Sequence, residues 1–270
     1  MYATDFEYDG LYLSDYGFIV CDFDSSDGAN AVDSGSKLTF NTISQYKGNK
    51  HSLVDTQYED CIQATFDVCK NPDIYDDLEI TIEEYRELVR WLNRKQFLKF
   101  RIFDDENELD PCYYEASFNI SKIKINEILY GIRLEMTTNR PFGFGQEQRK
   151  VFNFQDETQF HVLNDISDEI GYIYPLMTIT CYANGNLRIS NDITKCRTVI
   201  RNCSENEIIT IDEKTGTITS SDVEHDVYND FNYEFFKIGN TIDNRSNKIT
   251  VNAPCKIELR YSPIIKNSVW

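Results

Sequence analysis

The sequence is short of the residues from which catalytic and metal sites are usually built. Only three histidines, His51, His161 and His225, occur in 270 residues. Each falls in a separate predicted loop or element, and none has the i, i+4 partner of an H-E-x-x-H zinc helix. There is no G-x-S-x-G elbow, Walker A loop or dinucleotide fingerprint. The eight cysteines, Cys21, Cys61, Cys69, Cys112, Cys181, Cys196, Cys203 and Cys255, make no C-x-x-C pair and have no accompanying histidine spacing, so they read as free thiols rather than as a zinc site or a disulfide framework. With 45 acidic residues in the chain, a pair of carboxylates on one strand singles out nothing. The expectation is a protein without catalytic site, cofactor or metal, and so not an enzyme.

Long apolar runs are also missing. No stretch approaches the length of a membrane span, and the opening MYATDFEYDG has neither the basic nor the apolar region of a signal peptide. The expectation is synthesis in the cytoplasm and no membrane partner. Positive charge is scarce: 27 basic residues face 45 acidic ones, a net charge of -18. Both halves share the excess, with 16 basic against 28 acidic residues in 1–150 and 11 against 17 in 151–270. No block of Lys and Arg reverses it, which disfavours specific nucleic-acid binding, although an acidic passage that lets nucleic acid slide through is compatible.

What the chain does have is a core. It is 41% apolar and 13% aromatic, enough to offset the entropy of ordering two domains of ordinary size or one large one. Strand periodicity dominates. In Cys61 to Val68 the residues Ile62, Ala64, Phe66 and Val68 share one face. Phe97 to Phe103 and Cys112 to Ile120 are further strands, joined by the acidic loop Asp104-Asp105-Glu106-Asn107-Glu108. Ile123 and Ile125 pair with Ile132, Leu134 and Met136 after Tyr130-Gly131.

One segment is helical. Thr81-Ile82-Glu83-Glu84 is a capping box, and Ile82, Tyr85, Leu88, Val89 and Leu92 follow at helical spacing, with Arg94 and Lys95 at the far end. The stripe reads as a face packed on the sheet of its own domain; Trp91 at its edge is the candidate subunit contact. Asn139-Arg140-Pro141-Phe142-Gly143-Phe144-Gly145, followed by the charged run Gln146 to Lys150, predicts a boundary between domains 1–145 and 151–270. Beyond it Val151 to Phe154, Leu187 to Ser190, Ile208 to Ile211, Thr217 to Thr219, Phe231 to Ile238, Ile249 to Val251 and Lys256 to Tyr261 read as short strands, with Gly216 in the left-handed position of a hairpin turn. Such spacing indicates a sandwich or jelly roll.

Several pieces carry a resemblance in order and spacing: Phe6-Glu7-Tyr8-Asp9-Gly10, Ser14 to Val20, Thr81 to Lys95, Phe97 to Phe100, Tyr113 to Phe118 and Thr137 to Gly143. Together they resemble the N-terminal domain of siphophage distal tail proteins across most of 1–145. Ile209 to Asp212 and Asp230 to Asn232 resemble the galectin-like or carbohydrate-module-like second domain of that family. The resemblance implies a mainly β fold, with an N-terminal β-sandwich-like domain bearing one helix and a C-terminal galectin-like or jelly-roll β-sandwich. It also implies a homohexameric ring in the virion tail tip, made in the host cytoplasm, that joins the tail tube protein to tip or baseplate proteins and passes the genome through its opening. The alternative is a carbohydrate-binding module for host surface glycans, since Tyr172, Tyr174, Tyr182, Tyr228, Tyr233 and Trp270 lie in the second domain. Aromatics in sandwiches are usually core, and these are expected to be so.

Overall fold

The computed structural model describes residues 3–21, 23, 38–44, 51–104, 112–156 and 159–266. The loop residues Asp105 to Glu108 and the candidate Trp270 lie outside them. Contacts divide the chain into two units, one running to Phe144 and the other Gly145–Ile265. The molecule is mainly β.

The first unit contains β1 (Ala3–Tyr8), β2 (Leu11–Tyr12), β3 (Phe18–Cys21), β4 (Leu38–Ser44), β5 (His51–Tyr58), β6 (Gln63–Lys70), α1 (Ile82–Leu92), β7 (Leu98–Asp104), β8 (Tyr114–Ile125), β9 (Ile128–Thr138) and β10 (Gly143–Phe144). Seven strands form one antiparallel sheet in the order β2-β1-β7-β8-β9-β6-β3. The two layers expected of a sandwich are two parts of this single sheet. β1 and β6 are four strand spacings apart in it, about 19 Å if the sheet were flat. Yet the Phe6 ring of β1 lies 5.7 Å from the Phe66 ring of β6, and 5.5 Å from Phe100 of β7. The sheet therefore curls around its aromatic residues, and Phe6, Tyr8, Phe66, Phe100, Tyr114 and Phe118 fill the interior.

The helix starts where the sequence places it. Thr81 Oγ1 accepts from Glu84 N at 3.3 Å, and Thr81 N donates to Glu84 Oε2 at 2.7 Å. Leu88, Trp91 and Leu92 are buried, whereas Ile82 at the open end of the stripe is 73% exposed. Burying the two leucines stabilises the unit by about 1.5–3 kcal/mol each. The helix stops at Leu92, so Arg94 lies beyond it and donates from Nε to Trp91 O.

β8 is longer than the sequence suggested. It runs unbroken through Ser121 and Lys122 and turns into β9 at Asn126-Glu127, both with positive φ (51° and 71°) between the paired Ile125 and Ile128. That is a type I′ hairpin turn, with Glu where Gly is usual.

The second unit contains β11 (Gln148–Phe154), β12 (Phe160–Asn164), β13 (Gly171–Ile173), β14 (Leu176–Cys181), β15 (Gly185–Asn191), β16 (Arg197–Cys203), β17 (Ile208–Asp212), β18 (Thr217–Ser220), α2 (Val227–Asp230), β19 (Ile238–Asn240), β20 (Ser246–Val251), β21 (Cys255–Tyr261) and β22 (Ile264–Ile265). A five-stranded sheet, β11-β21-β14-β17-β18, and a four-stranded sheet, β12-β20-β15-β16, share one core. Alternation sets this up: Met177, Ile179 and Cys181 face inward from β14 as Ile257 and Leu259 do from β21. Gly216 takes φ 66° in the β17–β18 turn. Gly239 is needed for space, because a Cβ there would stand 2.6 Å from the Ile193 Cγ2 methyl.

Two expectations change here. The charged run before Val151 is strand from Gln148 on: β11 pairs with β21 from Gln148↔Tyr261 onward, and Arg149 is stabilised by Glu258, with bonds of 2.8 and 2.6 Å to its carboxylate. Phe231 to Ile238 is mostly not strand. Phe231 makes an isolated bridge to Ile200, Tyr233 has φ 57°, and only Ile238 belongs to a strand. Side chains bind the backbone of β16 in place of a ladder: Val199 N donates to Asn232 Oδ1 at 2.9 Å and Arg197 N to Glu234 Oε1 at 2.8 Å.

Candidate functional site

The most unusual surface is a ribbon. Among the described residues β4 and β5 pair only with each other, and none of their residues is buried. In register, Leu38 faces Tyr58 and Phe40 faces Thr56. The pairing then shifts between Asn41 and Thr42, leaving Val54 as an extra residue and setting Leu53 opposite Thr42, so that Leu53 joins Leu38 and Phe40 on one face. Leu38, Phe40 and Leu53 are 48%, 60% and 58% exposed, and Ile43 and Val54 are similarly open. A free two-stranded ribbon is marginally stable in water, and an apolar face of this size is what a partner surface covers.

Trp91 is placed elsewhere. It is 3% exposed, stacks on Tyr16 at 4.6 Å and on Phe6 at 5.7 Å, and donates its indole N–H to Tyr8 O at 3.0 Å. The edge of the helical stripe is turned into the core of its own unit, which leaves Trp91 little surface to offer a neighbouring copy.

The outward face of the curled sheet is polar. Gln63, Thr65, Asn119, Glu135 and Thr137 line a hollow over β6, β9 and β8, and Arg133 grips Asp67 with two bonds of 2.8 and 2.9 Å. No nucleophile meets a base there. Of the histidines, His51 is exposed on β5, and His161 packs against Phe152 and Phe154. His225 alone meets carboxylates: its Nδ1 is 2.6 Å from Glu207 Oε1, and its Nε2 is 3.3 Å from Asp230 Oδ2. Burial pulls the pKa of His225 down, but the hydrogen bond and charge of Glu207, with Asp230 behind it, outweigh this and hold it above its ordinary 6.5. Glu207 also accepts from Ser204 N at 2.7 Å and from Ser220 Oγ. Because the His225 and Glu207 side chains are 3% and 0% exposed, no substrate reaches them, and the cluster fastens α2 to β18. Among the described residues no group of three His, Cys, Asp or Glu is arranged to hold a metal ion.

The second unit's aromatics divide differently from the expectation. Tyr172, Tyr182, Tyr228 and Tyr233 are exposed, Tyr172 and Tyr233 by 57% and 59%. Lys237 Nζ lies 4.7 Å from the Tyr172 ring centroid and 5.4 Å from that of Tyr174. Tyr172 stands on short β13, Tyr182 just beyond β14, Tyr228 on α2 and Tyr233 in a turn held by side chains, placements that the strand pattern does not show.

Comparison with known proteins places these features. A model of phage tail protein N-terminal domains matches residues 1–140, and a model of phage tail C-terminal domains matches residues 142–261. No curated relative matches the sequence. Among solved structures, the Dit protein of phage SPP1, described as a paradigm of the hub adsorption apparatus in phages that infect Gram-positive hosts, is similar in fold, with a TM-score of 0.63 at 9% identity over 97% of this chain and 99% of that one. The fold is like that of the SPP1 Dit protein, and the chain belongs to the family of phage tail proteins that these two domain models describe.

Proposed function

We propose that the protein is the structural hub of a phage tail tip, a homohexameric ring that joins the tail tube protein on one side to tip or baseplate proteins on the other and has no enzymatic activity. Its copies are made in the host cytoplasm and end in the virion. The β4–β5 ribbon carries this reading, because its apolar face needs a partner and a ring supplies one in every neighbouring copy. A closed ring requires one patch to meet a different patch on the next protomer, and a ribbon leaving the sheet is suited to that. The acidic balance fits an opening through which the genome passes without sticking.

The test is imaging and mass measurement of full-length protein, with tail tube protein supplied if the free chain is monomeric. Rings of six copies are expected, and Phe40→Asp with Leu53→Asp should abolish them while leaving the circular dichroism unchanged. Rings that survive both substitutions would remove the ribbon from the interface.

A second reading, that the second domain recognises host surface glycans, is supported by exposed Tyr172 with Lys237 against it. Sugars stack on open aromatic faces. A glycan array with the full-length chain and with Tyr172→Ala tests it; micromolar binding that disappears in the variant is expected, and an array without signal sinks the reading.

A further inference from the structure

We propose that the outward face of the four-stranded sheet in the second unit binds a linear polyol-phosphate polymer, whose successive phosphates are gripped by Arg197, Arg188 and Arg201. The strands β12, β20, β15 and β16 contain no Asp or Glu, in a chain with 45 acidic and 27 basic residues. Leu187, Ile189, Ile200 and Ile249 are buried on the inner side. Alternation therefore turns Arg188, Arg197, Arg201 and Lys248 outward, and all four are exposed. They come from three different strands, so no run of bases in the sequence betrays the patch.

The pairing sets their spacing. Arg188 is opposite Val199, and Ser190 is opposite Arg197. Arg197 and Arg201 are thus the diagonal neighbours of Arg188 on β16, one to each side, with Cβ atoms about 7–8 Å away. Among the described residues none of the three guanidinium groups is in an ion pair, whereas Arg149 and Arg260 on the other sheet are both engaged by Glu258. Acids at the border of the face are held by main chain: Glu234 Oε1 accepts from Arg197 N and Asp192 Oδ1 from Lys248 N, each at 2.8 Å.

A guanidinium fork takes two phosphate oxygens at once. Forks that advance by two residues along a strand are about 7 Å apart, the reach of an extended chain that carries one phosphate for about every six backbone bonds. A glycerol phosphate polymer has that repeat. Single-stranded nucleic acid has it too, but its bases need aromatic platforms. The only Phe, Tyr or Trp on these strands is Phe160, at the far border on β12 and with Lys248 Nζ 4.1 Å from its ring centroid. An acidic peptide matches the spacing as well, yet a sheet face offers its backbone no ladder. The net charge of -18 does not forbid contact, because charges more than about 8 Å away are largely screened at physiological ionic strength.

The test is titration of the full-length protein with synthetic poly(glycerol phosphate). With three phosphates neutralised, affinity should fall about twentyfold between about 50 and 200 mM salt, and Arg188→Gln should flatten that slope by about a third. Arg188→Gln with Arg201→Gln should abolish binding, while Arg86→Gln, which removes one charge from the exposed side of α1, should leave it unchanged. Tyr172→Ala is expected to bind as wild type does, so this face and the Tyr172 reading stand or fall separately. Absence of binding by wild-type protein at the lower salt overturns the proposal. So does wild-type protein that binds poly-glutamate or a single-stranded oligonucleotide of equal charge as well or better. Binding that survives the double variant, or that Arg86→Gln weakens equally, overturns it as well.

Discussion

Glu84 is expected to be worth more to the first unit than its place at a helix start suggests, because it closes an ion pair as well as a cap. Its carboxylate accepts from Thr81 N and from Thr81 Oγ1 at 2.8 Å, and lies 2.9 Å from Lys70 Nζ. Lys70 is 7% exposed and has one further acceptor, Glu79 O at 2.6 Å. Thr81→Ala removes an acceptor from one helix-start amide and should cost about 1 kcal/mol. Glu84→Gln keeps the shape but leaves a nearly buried ammonium without its counter-charge, a loss of about 2–3 kcal/mol, below the 3–5 of a fully buried pair because Glu84 is partly open. Replacing both charges, in Lys70→Met with Glu84→Gln, should recover much of that loss. Burial raises the Glu84 pKa, but the bonds from Lys70 and Thr81 together outweigh it and hold it below the ordinary 4.5. Its contribution is thus complete above that value and disappears as pH falls through the depressed one. Urea titrations followed by the fluorescence of Trp91, packed against this sheet, report on the first unit. An unchanged midpoint for Glu84→Gln at neutral pH, or a double variant weaker than Glu84→Gln alone, would refute the reasoning.

Trp91→Phe should lower the stability of the first unit by about 2 kcal/mol, through the orphaned Tyr8 carbonyl and lost packing, with assembly unaffected; the midpoint and the mass in solution decide. The second unit should weaken as pH rises above 6.5 through the raised pKa of His225, because the imidazolium between Glu207 and Asp230 is then lost; thermal melts against pH should show this in wild-type protein and not in His225→Gln. The fragment 1–145 should still form rings, since the ribbon lies within it; rings from the whole chain but never from the fragment would place the contacts in the second domain. Limited proteolysis should cut between Asn139 and Glu147, ahead of the ladder that begins at Gln148; protection there with cleavage inside a unit would count against separable domains.

The elements that the sequence revealed are those whose signal is local. The Thr81–Glu84 cap lies within one turn, and the Phe66–Val68 alternation within one strand, so each is read without knowing the partner. β11 was hidden by its charges, because Arg149 and Lys150 look like a linker until Glu258, 109 residues away, supplies the counter-charge. The β8–β9 turn was hidden because Asn126-Glu127 lacks the glycine that marks such turns. Phe231 to Ile238 has the composition of a strand, yet Asn232 and Glu234 spend their side chains on the backbone they would otherwise have paired with. Trp91 could be assigned to the helix but not to its inner side, since facing depends on the curl of the sheet. The ribbon carries strand periodicity, but its exposure is a property of what fails to pack on it.

The side chains that close the border of β16 have a further consequence for the proposed ring, whose copies must join in a set number and then stop. An open strand border accepts any other strand, and a protein synthesised in many copies risks unlimited stacking. Asn232 and Glu234 occupy the amides of Val199 and Arg197 with groups that belong to the same chain, so that border offers an incoming strand fewer free donors. On the proposed reading self-recognition is withheld there and left to the ribbon of the other unit, and growth in one direction is thereby separated from growth in all.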